Sequence, residues 1–518
     1  MIRIVAPDPE RVAALQDGEG SYYWSACAET FLRQHGVISV LERGDDSTTG
    51  SIDLILRGAD APESDRPAFF EGPLAAEVLA RLGIDGDERV ADPIVLERPD
   101  RRGDGSPDPT EAATWNLAFQ RFTVRRIPLE MGETSDPYLF ESTDPLYHDG
   151  AVRYQVFREA EGWRPNLYAF DSESGERQIV GMTDGVRQVT GIPFFDLMCF
   201  DLASPPTGHG FYASLNSISR NPVRDYLLRE LDEIARAAGV DLVRVASWPE
   251  GKRCAFTVRH DYDRYITQRE LDWLLDQYAR RSVRCSWYTL AARAPSEQLR
   301  RLAAAGHEVA LHTEANDEDA FREEVARVGG ELGARLSGMT AHGGLGSPGF
   351  IGDTQYAWAE AAGLQFGEIL GRATPMPHRV LHTRNGRPEE STFYVPGTHT
   401  GLEASTQDAE VDIQAVAACC RQILDEGGQL NLMNHPDIFR PELIAVIDEL
   451  DLSGCWSATH REIVDWTAVA KYESRVVEDG DGRWVVFDRP LPEPTLLFVG
   501  EASVRAERGA TRVRIDGT

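Results

Sequence analysis

From Arg253 to Trp466, apolar runs of strand length alternate with amphipathic helical stretches, and this alternation limits what the chain can fold into more than any other feature. The pattern predicts strands at Cys254–Arg259, Cys285–Leu290, Glu308–Leu311, Met339–Ala341, Phe366–Leu370 and Leu430–Met433. It predicts helices at Thr267–Arg281, Ser296–Ala305, Asp317–Leu332, Asp412–Glu426, Pro441–Leu450 and His460–Trp466. Strands connected through helices pair in parallel and must be covered by those helices. Parallel sheets present their chemistry at the C-terminal strand ends. Several of these strands end in polar clusters.

Four strand ends carry groups that could bind a metal or move a proton. The first is Phe256-Thr-Val-Arg-His-Asp-Tyr-Asp263, where a strand burying Phe256 and Val258 emits His260, Asp261 and Asp263. Two carboxylates and an imidazole form an O/N donor set suited to a hard or borderline cation. The second is Gly306-His-Glu-Val-Ala-Leu-His-Thr313, which delivers His312. The third, Thr340-Ala-His-Gly-Gly344, leads His342 into a Gly-Gly turn that would allow close backbone approach. The fourth, Leu430-Asn-Leu-Met-Asn-His-Pro436, ends on His435, and Pro436 stops the strand. Tyr262 is either a core side chain or an aromatic that stacks on substrate, and His260 is either a ligand or a partner of a carboxylate.

In order and spacing these motifs resemble the polysaccharide deacetylases, carbohydrate esterase family 4. The Phe256–Asp261 run is similar to the family's TFDD strand, Gly306–Thr313 to its GHExxxHT motif, and Leu430–Pro436 to the last strand, which ends in a catalytic His. Cys285–Leu290 stands where the family has an F-x-T-G strand, and Thr459–Trp466 resembles its closing Thr…Glu…Trp helix. The resemblance spans about 215 residues, roughly two fifths of the chain. Three departures stand out. Asn316 occupies the place of the second His of the HxxxH pair, His-Asp-Tyr-Asp replaces TFDD, and Ala-His-Gly-Gly replaces Arg-Pro-Pro. The set RHDxD plus HGG looks like a divergent branch associated with bacterial surface-polysaccharide loci.

The resemblance implies an α/β fold, a distorted (β/α)7-type barrel, and a divalent metal, with Zn2+ the first choice. It implies Asp263, His312 and His342 as ligands, His342 replacing the missing histidine. Asp261 would be the base, with the two aspartates interchangeable at this point, His435 the acid and Arg259 the group that orients the base. His260, Asn316 and Tyr262 are further site candidates. The implied reaction is removal of an acyl group from an N-acylated sugar or glycan precursor. Two alternatives stay open: an inactive deacetylase-fold protein that binds glycan or scaffolds surface-polysaccharide assembly, and a hydrolase of another C–N bond, a formamide or cyclic amide.

Around the barrel, expected at 211–469, the chain divides into an N-terminal α/β domain at 1–210 and a small C-terminal β unit at 470–518. Arg3–Val5, Val37–Leu41 and Ile52–Leu56 read as strands, and Tyr22–Gln34 and Pro73–Leu82 as helices closed by glycines, which predicts a small parallel sheet. Residues 99–113 read as a loop rich in Pro, Gly and charge. Val152–Phe157 and Asn166–Phe170 look like strands, and Asn221–Ala238 like a helix leading into the barrel. After residue 470 the period becomes two at Arg483–Phe487, Thr495–Val499 and Thr511–Ile515.

Composition excludes more than it selects. Net charge is −31, with 84 Asp+Glu against 53 Lys+Arg. That field opposes nonspecific contact with nucleic acid or anionic lipid. Lysine occurs only at Lys252 and Lys471. Seven cysteines without a CxxC spacing argue against a disulfide framework or a Cys-rich zinc site. GxxxxGK[ST] is absent, and no GxSxG marks a strand–helix junction. Without a signal peptide or a long apolar run, the expectation is a cytoplasmic protein with a small-molecule or glycan substrate, no stable membrane insertion and an undetermined oligomeric state.

Overall fold

The computed structural model describes residues 1–5, 24–38, 40–41, 51–56, 59, 66–91, 94–97, 121–126, 146–148, 152–170, 176–195, 221–291, 293, 295–342, 353–368, 376–384, 387–396, 399–401, 413–425, 427–438 and 440–516. The alternation after Arg253 becomes a curled, mainly parallel sheet. Its strands are β1 (Cys254–Tyr262), β2 (Cys285–Leu290), β3 (Glu308–Thr313), β4 (Gly338–Ala341), β5 (Phe366–Glu368), β6 (His378–Arg384), β7 (Arg387–Val395), β8 (His399–Gly401), β9 (Gln429–Asn434) and β10 (Cys455–Ser457). Their spatial order is β6-β7-β5-β4-β3-β2-β1-β9-β8, with β10 also pairing β1. Every neighbouring pair is parallel except the β6–β7 hairpin. The pattern of alternation did not predict this hairpin.

The helices are α1 (Gln268–Arg281), α2 (Ser296–Ala304), α3 (Glu318–Leu332), α4 (Asp353–Ala361), α5 (Ile413–Asp425), α6 (Arg440–Asp448) and α7 (His460–Thr467). Helix α1 starts where Thr267 accepts from the Glu270 amide while Glu270 bonds back to Thr267, a reciprocal cap satisfying two orphan donors. Thr459 and Glu462 do the same for α7, and Asp317 caps α3. Gly306, at φ 85°, turns the chain between α2 and β3.

Residues alternate strictly between the two faces of β1. Phe256, Val258 and Tyr262 pack outward with Trp287, Val309 and Leu311 from the neighbouring strands, against Leu271, Leu274 and Tyr278 of α1 and Leu299 and Leu302 of α2. On the concave face Tyr288, Ala310, Phe366, Tyr394, Val464, Ala468 and Tyr472 form a smaller core. The odd-numbered residues of β1, with their charged side chains, share that concave face.

The N-terminal sheet is larger and more mixed than expected. Strands Val40–Leu41, Ile2–Val5, Ile52–Ile55, Ala68–Glu71 and Arg187–Thr190 pair in parallel. Antiparallel strands Arg177–Thr183, Arg164–Phe170, Ile94–Glu97 and Arg121–Arg126 extend that run within a sheet of twelve strands. The expected strand Val37–Leu41 reduces to a bridge at Val37 and a two-residue strand. The expected helix at Pro73 starts at Ala76. The predicted loop at 99–113 lies outside the described residues.

Period two after residue 470 builds two three-stranded sheets. Ser474–Asp479, Gly482–Phe487 and Arg512–Arg514 form one. Thr495–Val499 and Ala502–Ala506 pair in the other with Val243–Val245, which precedes the curled sheet in sequence. No helix among the described residues is long and apolar enough to cross a membrane.

Candidate metal centre

Adjacent parallel strands deliver the polar groups to one rim. Register pairs Leu290 with His312 and His312 with Thr340, and β9 runs beside β1 with His260 opposite Asn434. Asp263, just past β1, therefore faces the ends of β3, β4 and β9. His312 Nε2 lies 3.2 Å from Asp263 Oδ1, and His342 Nε2 lies 3.2 Å from Oδ2. His435 Nε2 donates to Oδ2 at 3.1 Å. The His312 and His342 rings meet edge-on, with centroids 5.1 Å apart.

Asp261, two residues earlier on the same face, has a different environment. Arg259 Nε and Nη2 donate to its two oxygens at 2.7 Å each, and Nη2 also donates to Thr340 Oγ1 at 3.1 Å. The guanidinium lies 5.2 Å from the Tyr288 ring centroid. Asp261 Oδ2 is 3.8 Å from His312 Nε2. Burial raises the Asp261 carboxyl's proton affinity, but the Arg259 charge outweighs it and holds the group below its usual range. Burial likewise opposes ionisation of Asp263, and the His312 and His435 imidazoles overcome it, holding that carboxyl well below the usual carboxylate range. Both aspartates are ionised at neutral pH.

Asp263, His312 and His342 suit a divalent cation. One donor atom from each lies within 4.8 Å of the others. Ligands about 2.0–2.2 Å from a tetrahedral zinc stand roughly 3.3 Å apart; His312 and His342 each stand 3.2 Å from Asp263, one from each of its two oxygens. Asp263 Oδ1 is buried, and apart from its ion-pair contact with His312 Nε2 it has no hydrogen-bond partner among the described residues. Three imidazoles converging on one carboxylate leave lone pairs that a cation would satisfy.

Three expected site residues stand elsewhere. His260 lies on the outward face, its Nε2 2.6 Å from Tyr278 Oη, its Nδ1 3.3 Å from the Asn434 carbonyl and its ring 4.1 Å from Trp287. Burial lowers its pKa to about 3, so it is a neutral core histidine. Tyr262 is on the same face, wholly buried, and its hydroxyl donates to Gln298. The strand runs to Tyr262, so the alternation that buries Phe256 and Val258 buries these two as well: of the alternatives for Tyr262 the structure shows the core one, and His260 bonds Tyr278 and a backbone carbonyl rather than a carboxylate. Asn316 is exposed in the turn before α3. Sequence reasoning missed Thr340, which steadies Arg259, and Glu314, whose Oε1 lies 2.9 Å from His342 Nδ1. Glu314 follows the His312-Thr313 pair directly, and that adjacency was the available signal.

No protein-family model matches the chain, and no curated protein matches it. Solved structures similar to it include a protein of Mycobacterium smegmatis assigned to the polysaccharide deacetylases, at 18% identity and a TM-score of 0.32, covering 43% of this chain and 92% of the other. An allantoinase shares 16% identity with a TM-score of 0.34, covering 42% and 91%. A carbohydrate esterase family 4 pseudoenzyme from Bacillus anthracis shares 11% identity with a TM-score of 0.29, covering 42% and 66%.

Proposed function

We propose that the curled sheet is a distorted (β/α)7-type barrel and that the protein is a metal-dependent hydrolase removing an acyl group from an N-acylated sugar or glycan precursor. The observation that carries this reading is the division of labour between two aspartates on one strand face. Asp263 meets three imidazoles, while Asp261 meets Arg259 through two parallel hydrogen bonds.

Asp263, His312 and His342 would hold the cation, with Zn2+ the best match to an O/N/N set. When bound, it supplies Lewis acidity toward the acyl oxygen and makes a nearby water easier to deprotonate. Asp261 takes the proton from the attacking water. Each of its oxygens keeps a lone pair beyond the one engaged by Arg259, and the guanidinium fixes where those lone pairs point. The water oxygen bonds to the acyl carbon, the C–N bond breaks, and the nitrogen leaves with a proton from His435. His435 is partly exposed at the end of β9 and so is open to the leaving group. Its contact with Asp263 orients the imidazole.

The test is acetate release from a panel of N-acetylated sugars by the metal-stripped and Zn2+-loaded protein, with metal content measured in parallel. Release that requires Zn2+ and falls sharply in Asp261→Asn and His435→Ala supports the assignment. Stoichiometric metal in Asp263→Ala and His312→Ala alike would overturn the proposed centre.

A further inference from the structure

His342 and His312 both approach Asp263, but they are held differently. His312 Nδ1 is buried without a hydrogen-bond partner among the described residues. His342 Nδ1 lies 2.9 Å from Glu314 Oε1, while its Nε2 faces Asp263. We infer that Glu314 is the positioning residue that makes His342 a metal ligand, an inference that rests on the metal-centre reading above.

The ladder brings the pair together. Thr313 pairs with Ala341 between β3 and β4, and the His342 amide donates to the Thr313 carbonyl at 2.8 Å. The residues just beyond, Glu314 and His342, are therefore neighbours by register. The turn bearing Glu314 is fixed at both ends. Thr313 Oγ1 donates to Glu324 Oε2 of α3 at 2.6 Å and accepts from the Ala315 amide at 3.1 Å. Ala315 is buried in the barrel's main core.

A carboxylate on Nδ1 holds the proton there, leaves the Nε2 lone pair for the cation and sets the plane of the ring. It also makes the imidazole a more basic ligand. His342 needs this help more than His312 does, because it follows the last residue of β4 and leads into Gly343 and Gly344, whereas His312 lies inside β3 with its side chain 2% exposed. Glu314 belongs to the same His-Thr segment that lacks a second ligating histidine at Asn316. The strand end that does not supply the third ligand supplies the group that aims it.

The experiment measures Zn2+ affinity of the full chain by chelator competition, and the visible spectrum of the Co2+-loaded protein, for the parent, Glu314→Ala, Glu314→Gln and Glu314→Asp. Glu318→Gln, on the neighbouring helix, is the control for lost surface charge. Glu314→Ala should weaken Zn2+ binding roughly 10–100-fold, the usual effect of removing a ligand's outer partner. It should also shift the Co2+ ligand-field bands. Glu314→Gln should fall between it and the parent, since its carbonyl still accepts from Nδ1–H, and Glu314→Asp should recover part of the loss. Thermal melting of the metal-free variants should match the metal-free parent, because the Glu314 side chain is about half exposed. If the parent binds metal and Glu314→Ala binds it equally well with an unchanged spectrum, Glu314 does not position His342. If the parent binds no metal, the metal-centre reading fails and this inference falls with it.

Discussion

Asp261 and Asp263 are two residues apart, share one face of a strand and are both ionised, yet their neighbours assign them different work. Asp263 is surrounded by ring nitrogens, and Asp261 by a guanidinium. Asp261→Asn should therefore leave the cation in place and remove the acceptor for water's proton. Expected are near-stoichiometric zinc and a kcat lower by about 10²–10⁴-fold, the usual range for loss of a general base. Asp263→Asn should lose metal first and activity as a consequence, so added Zn2+ restores part of the rate. Parallel metal analysis and steady-state kinetics separate the two. Equal metal loss in both variants would mean that the carboxylates act as one unit. The sequence marks both residues as site members but leaves their roles interchangeable, because the Arg259 side chain could have reached either one. Thr340, from β4, is what sets the guanidinium against Asp261.

At the scale of elements, strands β1 to β5 and β9 and six of the seven helices followed from apolar runs, caps and glycine punctuation, all of them local signals, whereas α4, β8 and β10 did not. Period two also assigns His260 and Tyr262 to the outward face once the strand is taken through to Tyr262. The strands run past Arg259 and Leu311 to Tyr262 and Thr313, although charged and polar residues seldom continue a buried strand. Here they do, because the concave face takes Asp261 and His312 beside its aromatic core, and the outward face takes His260 and Tyr262 through hydrogen bonds to Tyr278 and Gln298. The β6–β7 hairpin was illegible for a related reason: His378–Arg384 and Arg387–Val395 lack the apolar character of the central strands. Glu308 gives this polar interior a measurable signature. It is buried, it accepts from Ser286 Oγ and the Arg461 amide, and burial raises its pKa to about 7. Between the usual glutamate value near 4.5 and about 7 the folded chain holds a proton that the unfolded chain has released, so this group's contribution to stability falls as pH rises through that window. Glu308→Gln keeps both acceptor contacts and cannot ionise. Relative to the parent it should gain stability from pH 5 to pH 8, up to roughly 3 kcal/mol, in urea titrations at a series of pH values. A difference that does not change with pH would show that Glu308 is ionised in the folded state throughout.

At the scale of the whole molecule, the three regions predicted from sequence interlock more closely than their linear order suggests. Strand Val243–Val245 belongs to a C-terminal sheet, and the Val245 amide donates to Gly36 of the N-terminal region at 2.7 Å. Helix Trp24–Gln34 docks its C-terminal end on the segment after α7. There Arg33 donates to the Lys471 and Ser474 carbonyls, and Gln34 Nε2 to the Met376 carbonyl at 2.8 Å. Lys471 is fully buried at this junction. Its Nζ donates to the Gln34 carbonyl at 2.9 Å and lies 5.5 Å and 5.2 Å from the ring centroids of Trp248 and Trp466. Lysine is scarce, and one of the chain's two lysines is placed where its amino group meets a helix C-terminus between two indoles. No local pattern announces such a contact, since its partners are more than 200 residues apart from one another. Lys471→Met preserves the apolar stem but leaves a terminal helix carbonyl without this donor. It should cost about 1–3 kcal/mol, lowering the denaturation midpoint and speeding proteolysis of the N-terminal region, with hydrolysis by the native protein unchanged. An unaltered midpoint would mean that the cation is bystander rather than clamp, and that the apolar cluster around Trp248 and Trp466 holds the regions together without it.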